Sequence, residues 1–270
     1  MKKFLIYFFK YYGVPGVFVI FFFHTPLSLY LNKANEVYDL VSRVLEGGIS
    51  TRTLLLGDSV CKQFYGAIKN DENYCLCENQ SYEVPGNYLL LKTLVEGNSR
   101  FDRMVLVINP LTLTSSLNQD YTYNYFVKPF RKQLKGLDQS ELKYINTTFP
   151  KEEVLKFKFS NFQIPNSSNS LQISELDSLC ISDVNLKYLG KIDSICNKRG
   201  IQFKLVSPPL PLNNKEVINK FSVSRKAYLK DYFKSIVYYD SVDSKDGIHH
   251  KNAENYILKN SGQLESLLQF

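Results

Sequence analysis

Short apolar runs alternate along the chain with segments of helical spacing. The runs at 51–56, 74–77, 103–108, 201–206 and 236–239 each have the length and composition of a buried strand. Between and after them, hydrophobic residues recur at helical spacing in the segments 86–95, 182–199, 214–234 and 252–270. Strands that alternate with helices predict an α/β fold, a three-layer α/β/α arrangement of about five parallel strands.

The N-terminal stretch from Phe4 to Phe23 is almost wholly apolar and approaches the ~20 residues that span a bilayer. Lys2, Lys3 and Lys10 all precede its uncharged part, so the positive-inside rule places the N-terminus in the cytoplasm and the rest outside. A cleaved signal peptide and a buried helix of a soluble domain are the alternatives. Because no small-x-small cleavage site follows closely, we favour an uncleaved anchor.

These patterns divide the chain into an N-terminal signal anchor at 1–31, a helical connector at 32–50 and a domain at 51–270. Within the domain, residues 112–176 are rich in Asn, Ser, Gln, Tyr and Lys, which predicts an insertion or lid. Its aromatic residues include Tyr121, Tyr123, Tyr125 and Phe126. They could stack on sugar rings, or they could form a small core of the insertion itself.

Composition and charge narrow the classes of protein. A hydrophobic share of 44% and a charged share of 22% are typical of a folded chain and exclude wholesale disorder. The net charge of +7 would suit an anionic partner, such as a membrane surface or an acidic glycan. The basic residues form no dense block and accompany no nucleic-acid-binding motif, so we expect no nucleic acid as partner.

The five cysteines leave at least one thiol unpaired. Cys75 and Cys77 would share one face of a strand with parallel side chains, which disfavours a bond between them. Cys180 and Cys196 flank a helix that would hold them about 24 Å apart. No spacing is typical of zinc, so a buried thiol is the default interpretation for each cysteine.

Histidine is scarce, which limits where acid-base chemistry can occur. Only His249 and His250 lie outside the N-terminal segment. Asp246 precedes His249 by three residues, a spacing that lets its carboxylate orient the imidazole as in a catalytic triad. Ser59 lies just beyond the end of the first predicted strand, at the turn into an apparent helix, where a hydroxyl would be exposed at the carboxyl edge of the sheet. In a parallel sheet, Asp246 and His249 reach the same edge, which predicts that His249 takes a proton from Ser59.

Candidate oxyanion donors follow the second and third strands. The side chain of Asn109 would reach the same edge, as would the backbone N–H groups of Ser59 and of the Asn79-Gln80-Ser81 loop.

Together these residues resemble the SGNH (GDSL-like) hydrolase superfamily. The resemblance lies in Gly57-Asp58-Ser59 near the start of the domain and in Asp246-Gly-Ile-His249 near its end, with Asn109 between them. It implies a flavodoxin-like sheet, with Ser59 as nucleophile, His249 as base and Asp246 as its orienting acid. It further implies Asn109 as an oxyanion donor, and Ser81 in place of the family's glycine after the second strand. The third motif, usually Gly-x-Asn-Asp, here retains only the asparagine, at Asn109.

Each of these residues also has a purely structural interpretation. Ser59 could cap the helix after the first strand, and Asn109 could satisfy backbone groups at a strand end. His250 is expected to be a solvated neighbour of His249. Asp240, Asp243, Asp246 and His249 recur every three residues, but oxygen-rich calcium loops need another spacing. We therefore expect neither a metal nor a cofactor.

The resemblance favours a serine-dependent esterase or O-acyltransferase that acts on envelope or surface glycans through an acyl-serine. It also implies the bacterial inner membrane as location, with the domain outside the cytoplasm. The expected substrate is an acylated glycan or a small ester, and envelope polysaccharide machinery is a possible partner. A non-catalytic, membrane-tethered scaffold or glycan-binding protein is the alternative. A soluble lipase or thioesterase is disfavoured by the anchor.

Overall fold

The computed structural model describes residues 2–25, 35–78, 83–119, 121–149, 178–222 and 227–270. The helices are α1 (Lys2–Phe8), α2 (Val14–His24), α3 (Asn35–Glu46), α4 (Ser59–Tyr65), α5 (Glu83–Glu96), α6 (Gln139–Thr148), α7 (Asp183–Arg199), α8 (Asn214–Asn219), α9 (Ala227–Lys234) and α10 (Ala253–Leu268). The strands are β1 (Thr53–Gly57), β2 (Asn73–Cys77), β3 (Arg103–Val107), β4 (Gln202–Val206), β5 (Leu210–Pro211) and β6 (Tyr238–Tyr239).

The N-terminal helices α1 and α2 form one continuous, mainly apolar helical segment. A wider π-type turn, Phe9–Gly13, joins them just before Pro15. Because proline lacks an N–H and crowds the preceding turn, such a turn accommodates it without ending the helix. By length and composition, the segment Lys2–Phe22 could cross a membrane, and none of it is buried against the rest of the protein. This exposure contradicts the alternative of a buried helix in a soluble domain.

Four parallel strands form the central sheet in the order β2-β1-β3-β4. Side chains alternate between its two faces. On one face, Leu54 and Leu56 of β1 lie in a large core with helices α3, α5, α7 and α9. On the other face, Leu55 packs in a second core with α4 and α10. The prediction of an α/β fold with a parallel sheet and helices on both faces is confirmed.

The predicted fifth strand does not join this sheet. Strand β6 pairs instead with β5, and together they form a separate two-stranded parallel ladder. Pro208 and Pro209 follow β4 and cannot donate ladder hydrogen bonds, so they end β4 and separate it from the β5–β6 ladder. The chain resumes strand pairing at Leu210, whose N–H donates to the carbonyl of Val237 at 2.9 Å.

The predicted limits of helix α7 are confirmed. The Ser182 hydroxyl accepts a hydrogen bond from the backbone N–H of Asn185 at 3.2 Å, as an N-cap does. Gly200 ends the helix with a φ of 69°, in the left-handed region that glycine adopts without strain.

The helical connector and the first half of the predicted insertion both contribute to the core on the α3 side of the sheet. Helix α3 buries four side chains there. Leu113, Phe126 and Phe130 are fully buried in the same core. Tyr123 and Tyr125 are also buried, which favours packing over sugar stacking as their role. The second half of the insertion, from 150 to 176, lies outside the described residues.

Candidate active site

Ser59 begins helix α4 at the carboxyl edge of the sheet, two residues after β1 ends. The cap of this helix is Asp58, not Ser59, because Asp58 Oδ1 accepts hydrogen bonds from the N–H groups of Val60 at 3.0 Å and Cys61 at 3.1 Å. The hydroxyl of Ser59 is therefore available for another partner. That partner is His249, whose Nε2 lies 3.0 Å from Ser59 Oγ.

The other ring nitrogen of His249 contacts Asp246. Nδ1 and Asp246 Oδ2 are 2.8 Å apart. The second carboxylate oxygen, Oδ1, accepts the backbone N–H groups of Ile248 at 3.0 Å and His249 at 2.7 Å. Burial acts to raise the pKa of Asp246, but these hydrogen bonds and the nearby imidazole outweigh it and hold the pKa below its usual value. Asp246 is thus an ionised carboxylate that accepts a hydrogen bond from Nδ1–H of His249. The other ring nitrogen, Nε2, is then the acceptor that faces the Ser59 hydroxyl.

The loop that carries this pair is tightly fixed. Gly247, between Asp246 and His249, has a φ of 81°, and its N–H donates to the Ser244 hydroxyl at 2.9 Å. The backbone N–H of Lys245 donates to the carbonyl of His249 at 2.7 Å. These bonds hold the turn that places the carboxylate of Asp246 beside the imidazole of His249.

His250 is buried, so its prediction as a solvated neighbour is wrong. Its ring packs against Phe64, Tyr239 and Tyr256, with centroids 4.7–6.4 Å apart. Its Nδ1 accepts the backbone N–H of Asn252 at 3.0 Å. The residue therefore fastens the loop of His249 to the body of the domain.

Gln63 is a positioning residue that no sequence pattern signals. Its amide makes two hydrogen bonds with the backbone of His250. Nε2 donates to the carbonyl at 2.7 Å, and the His250 N–H donates to Oε1 at 2.9 Å. Gln63 lies one turn after Ser59 in α4, so it ties the helix of the serine directly to the loop of the histidine.

Asp58 has a second structural task that the sequence motif does not reveal. Its Oδ2 accepts the backbone N–H of Asn109 at 2.9 Å and so joins the ends of β1 and β3. Burial of Asp58 raises the pKa of its carboxyl, although the N–H donors and the nearby His249 act in the opposite direction.

Only the side-chain oxygen of Asn109 has a structural role. Oδ1 accepts the N–H of Leu111 at 2.9 Å and caps the short 3₁₀ turn Pro110–Thr114. Nδ2 is buried and has no hydrogen-bond acceptor among the described residues. A buried donor without a partner costs about 1–3 kcal/mol, so an oxygen supplied by a ligand would stabilise it. Since Nδ2 is covered, its neighbours must shift before a ligand oxygen reaches it.

The other predicted oxyanion donor cannot be placed. Ser81 lies outside the described residues, as do Asn79 and Gln80. Among the described residues, no acceptor is assigned to the backbone N–H of Ser59, since the Asp58 cap uses only the next two N–H groups.

A disulfide lies beside the serine helix. Cys61 of α4 is bonded to Cys77 at the end of β2, so the default interpretation of both as free thiols is wrong. Cys75 remains a buried thiol, 3.9 Å from the Cys61 sulfur, and burial raises its pKa to about 12. These three sulfurs are the one group within the described ranges that lie close enough to share a metal ion, but two of them are bonded to each other. The disulfide fixes α4 to the neighbouring strand.

Comparison of the chain with family models, with curated proteins and with solved structures found no match.

Proposed function

We propose that this chain is a membrane-anchored serine esterase or O-acyltransferase of the SGNH type. The observation that carries the proposal is the chain of two hydrogen bonds from Ser59 through His249 to Asp246, made by residues nearly 200 positions apart. A serine, an imidazole and a carboxylate in this order form an activated nucleophile. The strand order 2-1-3-4 matches the first four strands of a flavodoxin-like sheet, which supports the same class.

In the proposed reaction, His249 Nε2 takes the proton of Ser59 as Oγ attacks the carbonyl carbon of an ester. The negative charge that develops on the carbonyl oxygen would be stabilised by the Ser59 N–H and the Asn109 amide. The bond to the leaving alkoxide then breaks, and His249 gives that oxygen its proton, which leaves an acyl-serine. Water or a sugar hydroxyl next loses a proton to His249 and attacks the acyl carbon, and Ser59 Oγ recovers the proton as it departs.

Two independent features support a location of this protein in the cell envelope. The lysines that precede the apolar helix favour an N-terminus in the cytoplasm and a domain outside it. The Cys61–Cys77 disulfide suits an oxidising compartment. Both features agree with a single-pass protein of the bacterial inner membrane whose domain meets envelope or surface glycans.

Fluorophosphonate labelling tests the serine. We expect membranes that contain the full chain to show one labelled band, because the reagent phosphonylates an activated serine and needs no knowledge of the substrate. Ser59→Ala should abolish the label, and Ser266→Ala should keep it, since Ser266 lies on an exposed face of α10. An unlabelled wild type, or equal labelling of Ser59→Ala, would refute the proposal and favour the non-catalytic scaffold.

Gln63→Leu should lower kcat for a small ester by about 10- to 100-fold with a smaller change in KM, because it frees the His249 loop from the serine helix. Gln63→Glu keeps the acceptor for the His250 N–H and should recover part of the loss. Gln202→Leu is the matched control, since Gln202 is exposed at the opposite edge of the sheet. Equal kcat values for Gln63→Leu and the control would contradict this positioning role.

A further inference from the structure

The N-terminal anchor joins the domain at the edge of the sheet that carries Ser59. Helix α3 ends shortly before Ser50, which pairs with Arg100 in a bridge at the amino edge of β1 and β3. The helix therefore runs antiparallel to the strands, and its first residues lie at the carboxyl edge. A contact confirms this placement, because Glu36 Oε1 lies 2.5 Å from Nζ of Lys62, three residues after Ser59.

Covalent geometry limits how far this edge can lie from the membrane helix. Only nine residues separate Thr25 from Asn35. At roughly 3.6 Å per residue, the ten steps between these two residues cover at most about 36 Å. The edge that carries Ser59 is therefore the part of the domain to which the tether is fixed.

The same edge exposes three large hydrophobic side chains. Leu212, Val242 and Ile248 are 52%, 69% and 37% exposed, and they follow β5 and β6 in adjacent loops. Two hydrogen bonds hold these loops together. The backbone N–H of Asn213 donates to Ser241 Oγ at 2.8 Å, and the side chain of Asn214 donates to the carbonyl of Gly247 at 3.0 Å.

We define Leu212, Val242 and Ile248 as the rim patch. The charged residues in the loops around it have both signs, three lysines against four acids. These charged residues are Lys215, Glu216, Asp240, Asp243, Lys245, Asp246 and Lys251. Because their charges nearly cancel, the apolar side chains rather than net charge would determine what this surface binds.

We propose that the rim patch rests in the interfacial region of the bilayer that holds the anchor. Amphipathic helices that lie in this region bury their apolar face about 5–10 Å into the boundary between headgroups and acyl chains, and the exposed side chains of the rim patch would be buried in the same layer. The short connection favours the encounter, since it keeps the start of α3 within about 36 Å of the end of the membrane helix. The orientation follows from the anchor and the rim patch, independently of any reaction at Ser59.

The substrate class is a further step, which rests on the proposed function. An active site held at the membrane surface in this way assigns a membrane-resident ester or acceptor, such as a lipid-linked glycan, as the substrate class.

The absence of tryptophan from the chain gives a test without background tryptophan fluorescence. Leu212→Trp and Val242→Trp each place one fluorophore in the rim patch. Phe270→Trp is the matched control at the opposite edge, where the centroid of the Phe270 ring lies 5.3 Å from the guanidinium carbon of Arg103. Phe18→Trp, in the exposed part of α2, reports that the anchor is inserted. Each full-length variant is reconstituted into phosphatidylcholine vesicles with either ordinary or brominated acyl chains.

Brominated lipid should reduce the fluorescence of the two rim variants by roughly twofold and leave Phe270→Trp unchanged, because only the rim reaches the acyl boundary. Neutral lipid should suffice, since the charges around the patch nearly cancel. The proposal is overturned if Phe18→Trp is quenched while the rim variants are not, or if Phe270→Trp is quenched as strongly as they are. Quenching requires no turnover, so a Ser59→Ala background should give the same result. Failure of the serine chemistry therefore stays distinguishable from failure of membrane docking.

Discussion

His249→Gln is expected to lower kcat/KM for a small ester by about 10⁴-fold or more, the loss typical of removing the base from a catalytic triad. Glutamine can still donate a hydrogen bond to Ser59, but it cannot take the proton that makes the hydroxyl nucleophilic. His249 Nε2 lies 3.0 Å from Ser59 Oγ and has no equivalent among the described residues. The measurement is the initial rate of ester hydrolysis by the full chain in detergent, with folding checked by circular dichroism. A folded variant that retains a tenth of wild-type turnover would exclude His249 as the base.

Asp246→Asn extends the same prediction to the orienting acid, with an expected loss of about 10²- to 10⁴-fold in kcat. The amide would present a donor to Nδ1 and favour the tautomer whose Nε2 already carries a proton. Asp243→Asn is the matched control, since Asp243 is exposed on the same loop. The hydrogen bonds that lower the pKa of Asp246 keep it ionised above that lowered pKa, and it protonates only as the pH falls through that value. Because the amide of Asp246→Asn does not titrate, raising the pH cannot restore a carboxylate at this position.

The meeting of these residues could be predicted from the sequence because parallel strands bring their carboxyl ends to one edge. That rule places Ser59 after β1, Asn109 after β3 and the His249 loop after β6. It needs only the order of strands and helices, which the hydrophobic pattern supplies. The rule also survives the displacement of β6 from the main sheet, since β6 runs parallel to β5 and its loop still reaches Ser59.

Features that depend on register could not be predicted. The bond between Cys61 and Cys77 requires that Cys77 lie opposite Gly57, a pairing that no local pattern specifies. The hydrogen bonds made by Gln63 and Asp58 likewise join segments that are distant in the sequence. The relative positions of these segments are set by packing of the core. The burial of His250 depends on three aromatic rings from separate elements, so the residues adjacent to it along the chain do not indicate that it is buried.

Gly57→Ala is expected to destabilise the domain by about 3 kcal/mol or more, at the upper end of what overpacking costs. A Cβ at this position would lie 2.0 Å from the carbonyl oxygen of Val107 and 2.6 Å from Cys61 Cβ. Neither neighbour is the end of a flexible side chain, since Val107 O belongs to the backbone of β3 and Cys61 is held by its disulfide. Relief therefore requires β1 and β3 to separate or α4 to move, and α4 carries Ser59.

The measurement is thermal unfolding of the full chain in micelles, where about 3 kcal/mol corresponds to a fall in Tm of roughly 6–12 °C for a domain of this size. Gly262→Ala is a control of opposite sign. Gly262 lies inside helix α10 with no atom within 4 Å of an added Cβ, so alanine there should stabilise by roughly 0.5–1 kcal/mol. Because Gly57 precedes Asp58 and Ser59 directly, the variant that still folds should also react more slowly with fluorophosphonate. An unchanged Tm together with unchanged labelling would show that β1 and α4 do not approach as closely as the structure places them.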